Sequence, residues 1–162
     1  MFRLVRESRE SAALGELVSL LDADLNQRYG VVQAQYDQFN SLESIEAAVV
    51  AYAGERPVGC GCFKRFDAQS VEIKRMFVRP EDRGSGVAKL LLGELEAWAV
   101  EEGISRAVLE TGIKNPEAIR FYMKSGYGRI DNYGQYAGME NSVCMAKTLA
   151  NSATAGHSTS EP

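Results

Sequence analysis

Residues 78–88, Val-Arg-Pro-Glu-Asp-Arg-Gly-Ser-Gly-Val-Ala, are the stretch of this chain best suited to holding a charged ligand. A strand-like run ends at Val78, a proline and charged residues break it, and glycines lead into a helix. The first turn of a helix presents unpaired backbone N–H groups and the positive end of the macrodipole. Gly84 and Gly86 remove side chains that would hold an anion away from those amides. Such a turn suits a phosphate or pyrophosphate; a helix start merely relaxed by glycine is the other reading. A P-loop is excluded, because no GxxxxGK[ST] starts at Gly84, and the dinucleotide pattern GxGxxG fails at Lys89. The turn also follows a hairpin and a third strand, which is the wrong place for the first turn of a dinucleotide fold.

Other chemistries are removed by counting. The one histidine, His157, lies in a polar tail, so a Ser–His–Asp triad, a Cys–His pair and a His-rich metal site are excluded. No metal is expected. Cys60 and Cys62, two apart, share one face of a strand, while Cys144 lies far away and no CxxC occurs. With an odd count and no signal-peptide pattern, they read as buried reduced thiols of a cytoplasmic protein, a reactive Cys144 being the alternative. Eighteen Lys and Arg against 22 Asp and Glu give a net charge of −4, which argues against a nucleic-acid partner. No apolar run approaches the about 20 residues of a membrane span. At 162 residues, 45% hydrophobic and 25% charged, the chain suits one soluble domain.

The elements that must position the turn follow from periodicity. Residues 2–7 alternate as a first strand. Leu14, Leu17, Val18, Leu21 and Leu25 keep the spacing of an amphipathic helix closed by Gly30. A second helix is expected over 31–45. Strands at 47–53 and 58–63 form a hairpin around the turn 54–57, and a third strand spans 70–78. A helix over 84–102, with Val87, Leu91, Leu95 and Trp98 in one stripe broadened by Ala88, Leu92 and Ala99, stops at Gly103. A strand at 105–111, a helix at 116–125 ending at Gly126, and strands at 127–136 and 142–148 complete the domain, 1–149. The Ser/Thr/Ala/Gly-rich residues 150–162 are expected to be disordered. The fold class is α/β (α+β): one domain with a mixed central sheet of about seven strands and about four helices. Val71 and Ile73 share one face of their strand while Met76 and Val78 share the other, so a bulge near Lys74–Arg75 is expected.

Arg83-x-x-Gly86-x-Ala88 resembles the pyrophosphate motif [QR]-x-x-G-x-[GA] of the GNAT superfamily of acyl-CoA-dependent N-acetyltransferases. The preceding Glu72-Ile-Lys-Arg-Met-Phe-Val-Arg-Pro80 resembles the strand that leads into that motif. Asn115-Pro-Glu-Ala-Ile-Arg-Phe-Tyr122, followed by Gly126-Tyr127, resembles the family's second segment. Together they cover residues 71–127, and the order of elements fits from about residue 2 to 149.

The resemblance implies that the backbone amides of Arg83, Gly84, Ser85, Gly86, Val87 and Ala88 cradle the pyrophosphate of acetyl-CoA, the acyl donor. Met76, Phe77 and Val78 would pair their main chain with the pantetheine arm, between splayed parallel strands at 70–78 and 105–111. Asn115 would add a coenzyme contact, its bland account being a helix cap with Pro116 behind it. Tyr122 would sit beside the sulfur as general acid; its alternative is a core tyrosine. Glu72 is the candidate general base, directly or through a water, with an exposed strand glutamate or a partner for Lys74 or Arg75 as alternatives. An alkylammonium of pKa about 10.4 is neutral only about once in a thousand at pH 7, so arranging its deprotonation is worth about 4 kcal/mol. A strand N–H near Met76–Phe77 would polarise the carbonyl. The acceptor pocket would draw on residues 22–29, 35–36 and 133–136, and on Glu110 and Thr111. Tyrosines and amides there suit a small polar amine or amino acid, and Arg28 a carboxylate. Acetylation of a protein N-terminus or lysine, and a non-catalytic acyl-CoA-binding module, are the alternatives. Pairing into a homodimer is open to the faces of 31–45 or the late strands.

Overall fold

Ser11 marks where the first helix can begin: its Oγ accepts from the Leu14 N–H at 3.1 Å. In the computed structural model, which describes residues 1–29 and 42–149, that helix is α1 (Ala12–Tyr29), after strand β1 (Arg3–Glu7). There follow β2 (Ala47–Ala53), β3 (Arg56–Asp67), β4 (Ser70–Val78), α2 (Val87–Glu101), β5 (Arg106–Gly112), α3 (Pro116–Lys124), β6 (Gly128–Ile130) and β7 (Ser142–Thr148). The seven strands form one mixed sheet in the order β1-β2-β3-β4-β5-β7-β6. Three α-helices stand among the described residues. The helix expected at 31–45 lies mostly outside them, and residues 42–44 form a single 3-10 turn. Residues 150–162, expected as a tail, also lie outside. By their contacts the residues fall into two compact units, Met1–Lys64 with Ile73–Leu95 and Arg65–Glu72 with Glu96–Pro162.

In the first unit the alternation of β3 decides what packs on each of its faces. Cys60 and Cys62, both fully buried, join Leu14, Leu17, Val18 and Leu21 of α1 with Val50 of β2 in one apolar cluster. The opposite face carries Gly59 and Gly61. A Cβ on Gly61 would lie 2.5 Å from Met76 Sδ and 2.8 Å from Leu95 Cδ1. On Gly59 it would lie 2.9 Å from the Phe77 carbonyl oxygen and 3.1 Å from Leu91 Cδ1. The two glycines let Met76–Val78 and the α2 stripe close onto β3. Because the contact at Gly59 is backbone, Gly59→Ala must displace β4. Its expected cost is about 1–3 kcal/mol, read as a melting temperature lower by about 3–10 °C; an unchanged melting temperature would refute this close approach.

Three expectations shift in register. The hairpin turn narrows to Gly54-Glu55, with Gly54 at φ 63°, and Pro57 sits within β3 opposite Tyr52, beside a register shift. Proline has no N–H for the ladder, so an irregularity there is where it fits. The helix expected from 84 begins at Val87, because Gly84 and Gly86 take φ of 81° and 92°, outside helical space. The strand expected over 127–136 is only Gly128–Ile130. Asn132 Nδ2 donates to the carbonyls of Tyr136 (3.2 Å) and Met139 (3.0 Å), holding the next residues as a loop with a 3-10 turn at Gly134–Tyr136. Gly103 and Gly126 end their helices with φ of 83° and 100°, as expected.

Candidate functional site

The turn after β4 is braced from below. Arg79 donates its N–H to Val58 O (2.8 Å) and its Nε to Pro57 O (2.7 Å), and Arg56 pairs with Asp82 at 3.2 Å. The Arg83 side chain turns inward, donating from Nε to Val78 O at 2.8 Å and lying 5.5 Å from the Phe77 ring centroid. The Arg83 N–H is engaged by Pro80 O at 3.3 Å. From Gly84 to Ala88 no N–H meets a backbone acceptor among the described residues, and Leu90 N–H to Gly86 O (3.1 Å) opens the ladder of α2. A Cβ at Gly84 or Gly86 would meet nothing within 4 Å. The turn therefore offers a row of amides without backbone acceptors, with no side chain at Gly84 or Gly86 to obstruct them, which fits a pyrophosphate.

β4 itself carries the irregularity expected from its sequence. Arg75 has φ 59°, the one positive value outside glycine among the described residues. For a long side chain this conformation costs about 1–3 kcal/mol and concentrates at functional sites. The Arg75 guanidinium is buried and paired with Asp22, and its carbonyl accepts from Cys60 Sγ at 3.3 Å. Arg75, a partner for Glu72 that spacing offered, is engaged by Asp22. Arg28 pairs with Asp24 within α1 at 3.4 Å. The Tyr29 side chain, Gln35 and Tyr36 lie outside the described residues.

The second unit gathers the candidate acid–base groups. Glu72 is 1% exposed, so it is no solvent-facing strand residue. Its Oε2 accepts the Tyr133 phenol at 2.6 Å. Tyr133 stacks edge-on against Phe66 (centroids 4.9 Å) and Tyr136 (5.6 Å). Glu110, on β5 opposite Cys144 of β7, accepts Ser142 Oγ at 2.8 Å. Tyr122, buried on α3, meets Phe121 and Tyr127 at 5.1 and 5.7 Å, and Tyr127 donates to Glu96 at 2.8 Å. Asn115 caps α3 with Oδ1, accepting the Ala118 N–H at 3.2 Å. Its bland role is therefore occupied by one atom, and Nδ2 is the group a coenzyme could use.

The electrostatics of this cluster run one way. Burial first, then the charge of Glu110, pushes the Tyr122 phenol up; burial and then Glu72 do the same to Tyr133. Tyr136 is pushed up by burial, then Glu110, then Glu72. These phenols stay protonated and can only donate toward an anion at working pH. Burial also lifts the thiols, Cys144 to about 11 and Cys62 to about 12, and the Tyr52 phenol to about 12. Each such group has a higher folded than unfolded value, so its contribution is complete below the unfolded value and lost as pH rises through the folded one. The urea midpoint is accordingly expected to be level up to about pH 8.5 and to fall steadily from about pH 9 to 12; a midpoint held to pH 11 contradicts that burial.

Among the described residues no cluster of three His, Cys, Asp or Glu side chains could hold a metal ion. No helix there is long and apolar enough to cross a membrane. Residues 15–127 match the model of the acetyltransferase (GNAT) family, and the chain belongs to it. It is 31% identical over 149 residues, 90% of this chain and 97% of the other, to an IAA acetyltransferase of Azospirillum brasilense. A Klebsiella pneumoniae structure described as an acyl-CoA N-acyltransferase shares the fold at TM-score 0.77 and 27% identity, over 92% of this chain and 98% of that one. PaiA N-acetyltransferase of Thermoplasma acidophilum, solved with coenzyme A, shares the fold at TM-score 0.69 and 21% identity, over 91% and 99%.

Glu72 lies on β4, the glycine turn between β4 and α2, and Tyr122 on α3, the elements expected to carry them. What sequence spacing missed is the partner of Glu72, sixty-one residues away, and the close approach at Gly59 and Gly61. The alternation Val58-Gly-Cys-Gly-Cys62 was the available signal for the second.

Proposed function

We propose that this protein transfers an acetyl group from acetyl-CoA to the primary amine of a small molecule, a polar amine or amino acid. The observation that carries the reading is Glu72: a carboxylate 1% exposed, bonded to a phenol, on the strand that four residues later becomes Met76–Val78. A carboxylate that deeply buried needs a polar partner, and the Tyr133 phenol supplies one. Acetyl-CoA supplies the acyl group as a thioester, whose carbonyl carbon bonds to the amine nitrogen as its C–S bond breaks. Glu72, directly or through one water, takes the proton the ammonium must lose. The amides of Gly84–Ala88 hold the pyrophosphate, braced by Arg83, and Asn115 Nδ2 adds a contact. An N–H of Met76–Phe77 faces the carbonyl oxygen, and Tyr122 donates to the departing sulfur. Since burial holds its phenol up, Tyr122 acts chiefly through a hydrogen bond that stabilises the thiolate. Carboxylates and phenols favour a cationic acceptor; that cluster, and no relative's name, carries the acceptor class. Three buried free thiols suit a reducing, cytoplasmic setting.

The test is release of free thiol from acetyl-CoA in the presence of alkylamines, amino acids, polyamines and a peptide N-terminus. With Cys144 near 11, about one in a thousand of its thiols is ionised at pH 8, so the protein's own thiols contribute little. Amine-dependent release with the small molecules supports the proposal. Release with the peptide alone, or none, contradicts it.

A further inference from the structure

We propose that Tyr133 is the positioning residue for Glu72. This rests on the reading of Glu72 as base. The phenol donates to Oε2 at 2.6 Å, a short charge-assisted contact that removes the freedom of the last of the three rotatable bonds in a glutamate side chain. Burial and the charge of Glu72 hold the proton on the phenol, so the bond keeps one polarity across working pH.

The phenol is itself held. Phe66 and Tyr136 meet its ring edge-on, at 4.9 and 5.6 Å. The backbone that carries it is bracketed by the Asn132 amide, which donates to the carbonyls of Tyr136 and Met139. The loop that stands in place of a strand after Ile130 thus delivers one hydroxyl to one carboxylate oxygen. A strand continuing through 131–136 would alternate its side chains and pair its backbone with a neighbour. The loop instead uses its polar groups to hold its own shape. A general base works only within hydrogen-bond reach of the proton it removes, and small misplacements are costly in rate. Tyr133 therefore acts on turnover through Glu72.

Tyr133→Phe keeps both ring contacts and deletes the hydroxyl. The expected result, with whichever amine of the panel turns over fastest, is a kcat lower by about tenfold with the KM for acetyl-CoA and the circular dichroism unchanged. In a Glu72→Gln background the same substitution is expected to change kcat less than about twofold, because its route to the reaction is already cut. Independent, multiplying losses would overturn the proposal, since a loop-holding role acts regardless of residue 72. Wild-type kcat in Tyr133→Phe, beside a crippled Glu72→Gln, would overturn this proposal alone. Wild-type kcat in Glu72→Gln would overturn the base assignment itself.

Discussion

Gly86→Glu is expected to abolish coenzyme A binding in calorimetry while leaving the fold intact. Two effects add. Gly86 sits at φ 92°, a conformation that costs a residue with a side chain about 1–3 kcal/mol. The new carboxylate would also stand against the pyrophosphate; two like unit charges about 5 Å apart repel by about 3 kcal/mol at an effective dielectric of about 20. The repulsion alone weakens binding by about 150-fold, taking an ordinary micromolar ligand to hundreds of micromolar, and a turn that relaxes the strain at residue 86 no longer holds its amides in place. The fold survives because that strain falls on a turn where a Cβ meets nothing within 4 Å and is small beside the stability of a domain this size. Gly93→Glu places the same charge on α2, also with open space around it and at an ordinary φ, and is expected to bind normally. Binding retained by Gly86→Glu would remove the coenzyme from this turn.

Glu72→Gln is expected to cripple turnover without touching binding. The amide matches the carboxylate in size and can still accept the Tyr133 phenol, so stability and coenzyme affinity should persist. Loss of a general base lowers kcat/KM by about 10²–10⁴. The pH profile carries the sharper signature. Without a base the enzyme depends on amine that is already neutral, so its rate should climb about tenfold per pH unit toward the amine's own value near 10. Equal profiles for wild type and variant would show that the proton leaves by another route.

How much of this could be read from sequence depended on how local the cause was. The leucines of α1 and the stripe of α2 repeat every three or four residues, and both helices formed on them. The switch of face between Ile73 and Met76 located the backbone irregularity at Arg75, because alternation along one strand is a local signal. The Arg83–Ala88 turn was legible for the same reason: its amides and glycines are consecutive. The Glu72–Tyr133 bond was not, since it joins residues sixty-one apart through a loop whose shape depends on the Asn132 amide. Tyr133 was one name among several polar residues of an acceptor wall. Gly59 and Gly61 looked like ordinary strand glycines until Met76 and Leu95 filled the space above them.

Acetyl transfer to a small amine leaves a product that can be weighed, so mass analysis of the acceptor after incubation with acetyl-CoA is the decisive experiment. The expected product is an N-acetylated small amine, formed in step with free coenzyme A and lost in Gly86→Glu. Coenzyme A released with no acetylated amine, or acetylation confined to a peptide N-terminus, would contradict the proposed reaction.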